Sequence, residues 1–212
     1  MAINLNELVG YLNKYLNVQS IHDYCPNGLQ VEGRPDIKTL VTGVTASQAL
    51  IQAAIDRKAD AILVHHGFFW RNEPAVITGY KARRMRSLMQ AGIHLLAYHL
   101  PLDFHAELGN NIALARQLNI DVDAPLLDAQ GKTIGLTGAL VQPVIAVDFA
   151  QCINKKLHRE PLHIGDAQAK IQTLAWCTGA GQHFIDRALL AGVDAYLSGE
   201  ISESTVHFVR EN

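Results

Sequence analysis

Apolar residues Ile3, Leu5, Leu8, Val9, Leu12 and Leu16 recur at helical spacing, which predicts a helix over residues 3–16. The turn formers Tyr24-Cys25-Pro26-Asn27-Gly28 mark a loop. The apolar run Val41–Val44 reads as a strand, and Thr45 or Ser47 can cap a helix over roughly 47–58 with Leu50, Ile51, Ala54 and Ile55 on one face. Ala61–His65 is a second short apolar strand, ending in His65-His66-Gly67. A basic helix near 80–91 carries Lys81, Arg83, Arg84 and Arg86. Ile93–His99 forms a further strand, broken by Pro101, and Asn110–Leu118 returns to helical spacing. Strands alternating with helices predict βαβ units and an α/β sheet.

Residues 121–133 lose periodicity and gain Asp, Pro and Gly. A domain boundary is expected there, giving an N-terminal α/β domain over 1–125 and a second α/β domain over 126–212. In the second, strands are expected at Ile134–Val141, Ile171–Cys177 and Ala195–Ser198, with helices over Ile145–Leu157, Gln182–Ala191 and Ser202–Arg210. The chain reaches Asn212 in that last helix with no closing strand, so a C-terminally truncated fragment is expected.

The segment Ala46–His66 aligns on Ala180–Glu200 without a gap. Identical pairs are Ala46/Ala180, Gln48/Gln182, Ile51/Ile185, Ala54/Ala188, Asp60/Asp194, Ala61/Ala195 and Leu63/Leu197, and a Thr-Gly precedes each helix at Thr42-Gly43 and Thr178-Gly179. A duplicated helix–strand unit would give the two strand tips, His65-His66 and Gly199-Glu200, equivalent places. Ligands of α/β sheets gather beyond the carboxyl ends of strands.

Composition narrows the function classes. Of the 212 residues 49% are hydrophobic and 18% charged, which excludes a disordered tail or a coiled coil. The net charge of −2 leaves no general basic field for nucleic acid. No basic, apolar leader opens the chain, and no run approaches the ~18 apolar residues of a membrane span. Cys25, Cys152 and Cys177 are scattered and odd in number, without CxxC spacing, so buried, inert thiols and a reducing cytoplasm are expected.

The chemistry-bearing residues lie at two strand tips. His65 and His66 are neighbours, and inside a strand they would face opposite ways. At a strand end the backbone can turn, and Gly67 permits unusual dihedrals. The pair reads either as a packing or surface feature or as ligands for two ions. In His99-Leu100-Pro101-Leu102-Asp103, Pro101 stiffens a turn from which Asp103 can project. Asp103 either caps the next segment or serves as a carboxylate ligand able to bridge two cations. His99 reads as an outer partner that orients a ligand, a proton shuttle, or a hydrogen-bonded core histidine. Two histidines and an aspartate make a nitrogen-and-oxygen set that suits zinc, manganese, iron or nickel rather than calcium.

Several motifs together carry a resemblance: Asp23-Tyr24 with Pro26-Asn27-Gly28-Leu29-Gln30-Val31 and Gly33, then Thr42-Gly43-Val44, His65-His66-Gly67, His99-Leu100-Pro101-Leu102-Asp103, Gly109-Asn110-Asn111, Cys177-Thr178-Gly179 and Ser198-Gly199-Glu200. In this order they resemble the GTP cyclohydrolase 1 type 2 homologues, also called NIF-three-like dinuclear-metal proteins, in the short form without a central inserted domain. The resemblance implies duplicated three-layer α/β/α units, two similar domains with mixed sheets. It also implies a homo-oligomer, a hexameric toroid, with two divalent transition-metal ions per subunit. By motif match His65, His66 and Asp103 are metal ligands; His99, read as a proton shuttle, is the candidate catalytic residue. The family completes its site with a His-x-x-x-Glu motif in a segment beginning Gly-His-His, and no Gly-His-His segment occurs among these residues. A partly filled or weakly held centre is therefore expected here, and Glu200, which mirrors His66 in the repeat, is a candidate substitute carboxylate.

The reaction implied is that of a metal-dependent cyclohydrolase, with hydroxide attacking C8 of a purine nucleotide, opening the imidazole ring and later losing formate. The basic helix at Lys81, Arg83, Arg84 and Arg86 offers cations for phosphates, or is simply a solvated face. No Walker-type loop is present. The alternative is a non-catalytic metal-binding scaffold or regulator. Trp70 follows the histidines and is a candidate for stacking on a substrate ring, whereas Trp176 lies in an expected strand and reads as core.

Overall fold

The computed structural model describes Ala2–Asn212, and the chain divides into two compact units, Met1–Leu102 and Asp103–Asn212.

The first unit opens with a short strand β1 (Ile3–Asn4) and helix α1 (Leu5–Tyr15). The expected helix over 3–16 thus starts later, because Asn4 takes the cap and its side chain accepts the Asn6 N–H. Then come β2 (Gly28–Val31), β3 (Asp36–Ile37), β4 (Leu40–Thr45), α2 (Gln48–Asp56), β5 (Ala61–His66), α3 (Gly79–Ala91) and β6 (His94–Ala97). Ser47 rather than Thr45 caps α2, its Oγ accepting Leu50 N–H at 3.2 Å. A short turn α4 (Leu100–Asp103) runs across the division between the units.

The main sheet of this unit has the order β2-β6-β5-β4. Strands β4, β5 and β6 are parallel, and β2 closes one edge antiparallel to β6. Alternation along the strands separates two apolar faces. Ile62, Val64, Leu95 and Ala97 pack with Ile51 and Ala54 of α2 and Met85 and Leu88 of α3. Ala61, Leu63, Leu96 and Tyr98 pack with Leu5, Leu8 and Leu12 of α1. The result is three layers, helix–sheet–helix.

The second unit contains α5 (Asn110–Leu118), β7 (Ile120–Leu127), β8 (Thr133–Ile145), α6 (Ala146–Leu157), β9 (Lys170–Cys177), a 3-10 turn at Gly181–Phe184 leading into α7 (Ile185–Leu190), β10 (Ala195–Ser198) and α8 (Glu203–Glu211). Its sheet order is β10-β9-β8-β7, with β9 and β10 parallel and the other pairs antiparallel. Leu174, Trp176 and Leu197 pack with α5 and α6 on one face, and Ala175 and Tyr196 with Ala188 of α7 on the other. Three layers form again around a mixed sheet.

The segment 121–133, expected as a boundary, lies inside this unit as strand β7 and the turn into β8. Strand β7 is an edge strand with mostly exposed residues, so its polar side chains and Pro125 are tolerated there and hide its pairing with β8. Asp128 makes the turn, accepting the N–H groups of Gln130 and Lys132 at 2.8 Å.

The internal repeat is structural. Both β4–α2–β5 and β9–α7–β10 are βαβ units with parallel strands, and the pairings Leu40↔Ala61 and Leu174↔Ala195 share the register that the Ala46/Ala180 alignment requires. In that register Cys177, not Gly179, matches Gly43. Gly43 sits within β4 opposite Val64, whereas Gly179 follows β9 with φ +71°, so the two Thr-Gly pairs are not equivalent.

Candidate metal centre

Strand β5 carries its pairing one residue past the expected end, with His66 opposite Thr45. The imidazoles of His65 and His66 still converge, with ring centroids 4.4 Å apart. His99 enters the same place from the end of β6, its centroid 5.0 Å from His65 and 5.7 Å from His66. One ligating nitrogen from each of the three lies within 4.8 Å of the others. Gly67 allows this turn through space rather than through dihedrals. Its φ is not left-handed, but a Cβ there would stand 2.2 Å from Gln30 Oε1 and 2.7 Å from Ala97 Cβ. That Gln30 oxygen accepts the Phe68 N–H at 2.6 Å, locking the chain just past the histidines.

Hydrogen bonds decide which nitrogens face a metal. His65 Nδ1 lies 3.1 Å from the Tyr98 carbonyl, which can only accept, so Nδ1 carries the proton and Nε2 keeps a lone pair. His99 Nδ1 lies 3.0 Å from Asp23 Oδ1, a carboxylate, with the same consequence. For His66, Thr45 Oγ1 stands 3.4 Å from Nδ1 and can take either role. An imidazole whose outer N–H is held by a carboxylate or carbonyl is the usual state of a metal-ligating histidine.

The loop before β2 builds the clamp around His99. Asp23 accepts from Asn27 Nδ2 at 2.9 Å, from Leu100 N at 2.9 Å and from Tyr24 N at 2.7 Å. Asn27 Oδ1 in turn accepts the His99 N–H at 2.7 Å. Burial works to raise the Asp23 carboxyl. The hydrogen bonds from His99, Asn27 and Leu100 outweigh it and hold the group well below the usual carboxylate range. Asp23 was legible only as part of a family motif. The further signal is the Asp-x-x-x-Asn spacing around Pro26, which lets one turn grip both the backbone and the ring of a single residue.

Asp23, Cys25 and His99 form a second group within 4.8 Å. Burial, then the Asp23 charge, push the Cys25 thiol up to about 12, so with no ion bound it stays protonated at neutral pH. The three histidines are the set that fits a transition metal.

Asp103 is the first residue of the second unit and is not a member of the histidine group. It does not cap α5, whose N-cap is Gly109. Its Oδ1 accepts Asn110 Nδ2 at 2.7 Å and its carbonyl accepts Asn111 Nδ2 at 3.3 Å. Buried Asn111 ties this segment to β9, its Oδ1 accepting Thr178 N–H and its carbonyl accepting Trp176 Nε1–H, each at 3.0 Å. The Asn110-Asn111 and Cys177-Thr178 motifs are thus two sides of one polar link. Glu200 stays in the second unit just past β10, where its N–H reaches Ser198 Oγ at 3.5 Å.

Trp176 is fully buried core. Trp70 instead stands against the histidines, its ring centroid 5.0 Å from His99 and 5.8 Å from His66. On the basic helix, Lys81 pairs with Glu73 at 3.1 Å and lies over the Phe69 ring, and Arg84 lies over Tyr80. These two cations already have partners.

Fold and site together define a two-unit, mixed-sheet α/β protein with a histidine-built candidate metal centre. The model of the family Duf34/NIF3 (NGG1p interacting factor 3) matches residues 3–212, and the chain belongs to that family. A GTP cyclohydrolase 1 type 2 homolog of Pseudomonas aeruginosa is 53% identical over 212 residues, covering 100% of this chain and 84% of the relative. Another of the same name from Vibrio cholerae is 52% identical over 211 residues, covering 99% and 83%. Among solved structures, protein ybgI, described as of unknown function, superposes with TM-score 0.92 at 45% identity, covering 99% of this chain and 83% of the other. TTHA1606 from Thermus thermophilus superposes with TM-score 0.81 at 34% identity, with 99% and 83% covered. Among the described residues no helix is long and apolar enough to cross a membrane.

Proposed function

We propose that this chain binds divalent transition-metal ions and works as a metal-dependent hydrolase that opens the imidazole ring of a purine nucleotide. The observation that carries the reading is the convergence of His65, His66 and His99, with two of the rings fixed through Nδ1 by oxygen acceptors. A bound divalent ion supplies Lewis acidity and brings the ionisation of water towards neutral pH. His65 and His66 hold the ions. Asp103 joins them on the strength of its place in the family motif, four residues after His99. His99, with Nδ1 on the Asp23 carboxylate, offers Nε2 to take the proton of the attacking water. The water oxygen bonds to C8, a C8–N bond of the ring breaks, and that nitrogen takes the proton. A second hydrolysis releases formate. The purine nucleotide is supported by the name the relatives carry.

The proposal extends to the assembly and its compartment. A homohexameric ring with two ions per subunit, zinc, manganese, iron or nickel, follows from the family resemblance. The free thiols of Cys25, Cys152 and Cys177 fit a reducing cytoplasm.

Two measurements test the reading. Elemental analysis of the purified protein should find a transition metal that His65→Ala and His66→Ala lose. With GTP, the metal-loaded protein should release formate above the His65→Ala background. Metal without formate would favour the non-catalytic scaffold, and no metal under any loading condition would reject both.

A further inference from the structure

The loop after the histidines is built in a way that core packing does not require. Phe69 and Asn72, on either side of Trp70, adopt left-handed φ of +67° and +73°. For a bulky residue such as Phe that backbone is costly and persists only where its surroundings over-determine it. Here they do. Phe68 is anchored in the core, the Arg71 N–H donates to the Tyr24 carbonyl at 2.9 Å, the Glu73 N–H donates to the Trp70 carbonyl at 3.1 Å, and Lys81 holds Glu73. The fixed product of these restraints is the position of Trp70. Its ring stands perpendicular to His99, at 89°. Tyr24 completes the wall, 5.8 Å from Trp70 and 5.0 Å from His99, and is still 47% exposed.

We propose that Trp70 and Tyr24 form an aromatic seat beside the histidine cluster that takes the planar heteroaromatic ring of the substrate. This rests on the histidine cluster being the reaction centre, as argued above. Two large aromatic rings left partly open to solvent retain π-surface for a flat partner, and such surfaces accept any heteroaromatic base by stacking. A ring seated there lies next to the groups that would act on it, so recognition and chemistry share one wall. Stacking of this kind discriminates a base from a sugar phosphate and tolerates exchange among bases.

The test uses guanosine and ribose 5-phosphate as probes, on the protein as purified and after treatment with a chelator. Trp176 is buried in the other unit, so quenching of the half-buried indole by a bound ring reports on Trp70. Guanosine should quench and bind in both samples, and ribose 5-phosphate should do neither. Trp70→Leu should weaken guanosine binding roughly tenfold or more, Tyr24→Leu should weaken it less, and Trp70→Phe should keep most of it, with the two Trp70 variants read by titration calorimetry because they lack the reporting indole. Retention by Trp70→Phe shows that the loss in Trp70→Leu is not misfolding. Guanosine binding unchanged in Trp70→Leu, or equal competition by ribose 5-phosphate, would overturn the seat. The two proposals fail separately. Guanosine binding that depends on Trp70 without any formate release leaves the seat standing and removes the hydrolase. Formate release from GTP with unchanged KM in Trp70→Leu does the reverse.

Discussion

Asp60 and Asp194 do the same work in the two units. Asp60 Oδ2 accepts the N–H groups of Lys38 and Thr39, both at 2.9 Å, and its own N–H donates to the Thr39 carbonyl at 2.9 Å. Asp194 Oδ2 accepts the N–H groups of Gln172 at 3.0 Å and Thr173 at 2.8 Å, and its N–H donates to the Thr173 carbonyl at 3.0 Å. Each aspartate pins the start of one parallel strand to its neighbour. The identity that the repeat alignment finds at these positions is therefore a shared hydrogen-bonding device.

These amides hold both carboxyls below their ordinary value of 3.8, with Lys38 leading for Asp60 and Thr173 for Asp194. The unfolded chain then takes up protons first as pH falls. The stabilisation is present above the ordinary value and is lost as pH drops through it towards the lower folded value. Melting temperature should decline between about pH 5 and pH 3. The double variant Asp60→Asn, Asp194→Asn should decline less steeply and cost about 1 kcal/mol per site at neutral pH, both groups being well solvated. A pH profile identical to wild type would remove this role.

Asp23 orients His99, the proton acceptor of the proposed reaction, so Asp23→Asn should keep the fold and the metal and lower formate release from GTP about 100-fold or more. A formate assay on the metal-loaded variant measures this. Circular dichroism of the same sample reports the fold independently.

Gly67→Ala should destabilise the first unit by about 1–3 kcal/mol, because the new methyl group meets Gln30 and Ala97 at the positions described above. Gly10→Ala is the matched control. Gly10 lies within α1 with nothing inside 4 Å of a Cβ, so its replacement should stabilise by about 0.5–1 kcal/mol. Urea denaturation of the two variants should move in opposite directions.

Asn111→Ala removes two half-buried side-chain links, to Thr178 N and to the Asp103 carbonyl. A cost of about 2 kcal/mol is expected in chemical denaturation. A far smaller loss would mean that water replaces both bonds.

Periodicity in the amino-acid pattern was enough to locate the βαβ elements, the histidine strand tip and the duplication, since each depends on spacing along a single stretch of chain. Residues 120–127 escaped it because an edge strand exposes most of its side chains and owes its existence to pairing with residues 133–140. The pairing of His65 with His66 was ambiguous for a similar reason. Strand alternation sends neighbours apart, and only the close packing of Gln30 and Ala97 at Gly67 shows how the chain leaves the strand. Local sequence thus determined which elements form, that the two halves share one device, and which residue types are able to bind a metal. Tertiary structure alone decided that Asp23 and Asn27 grip a histidine more than seventy positions away, that Cys25 stays a protonated thiol, and that Trp70 faces the imidazoles while Trp176 fills the core. Hydrogen bonding and burial of this kind join residues far apart in the chain, and no short-range pattern encodes them.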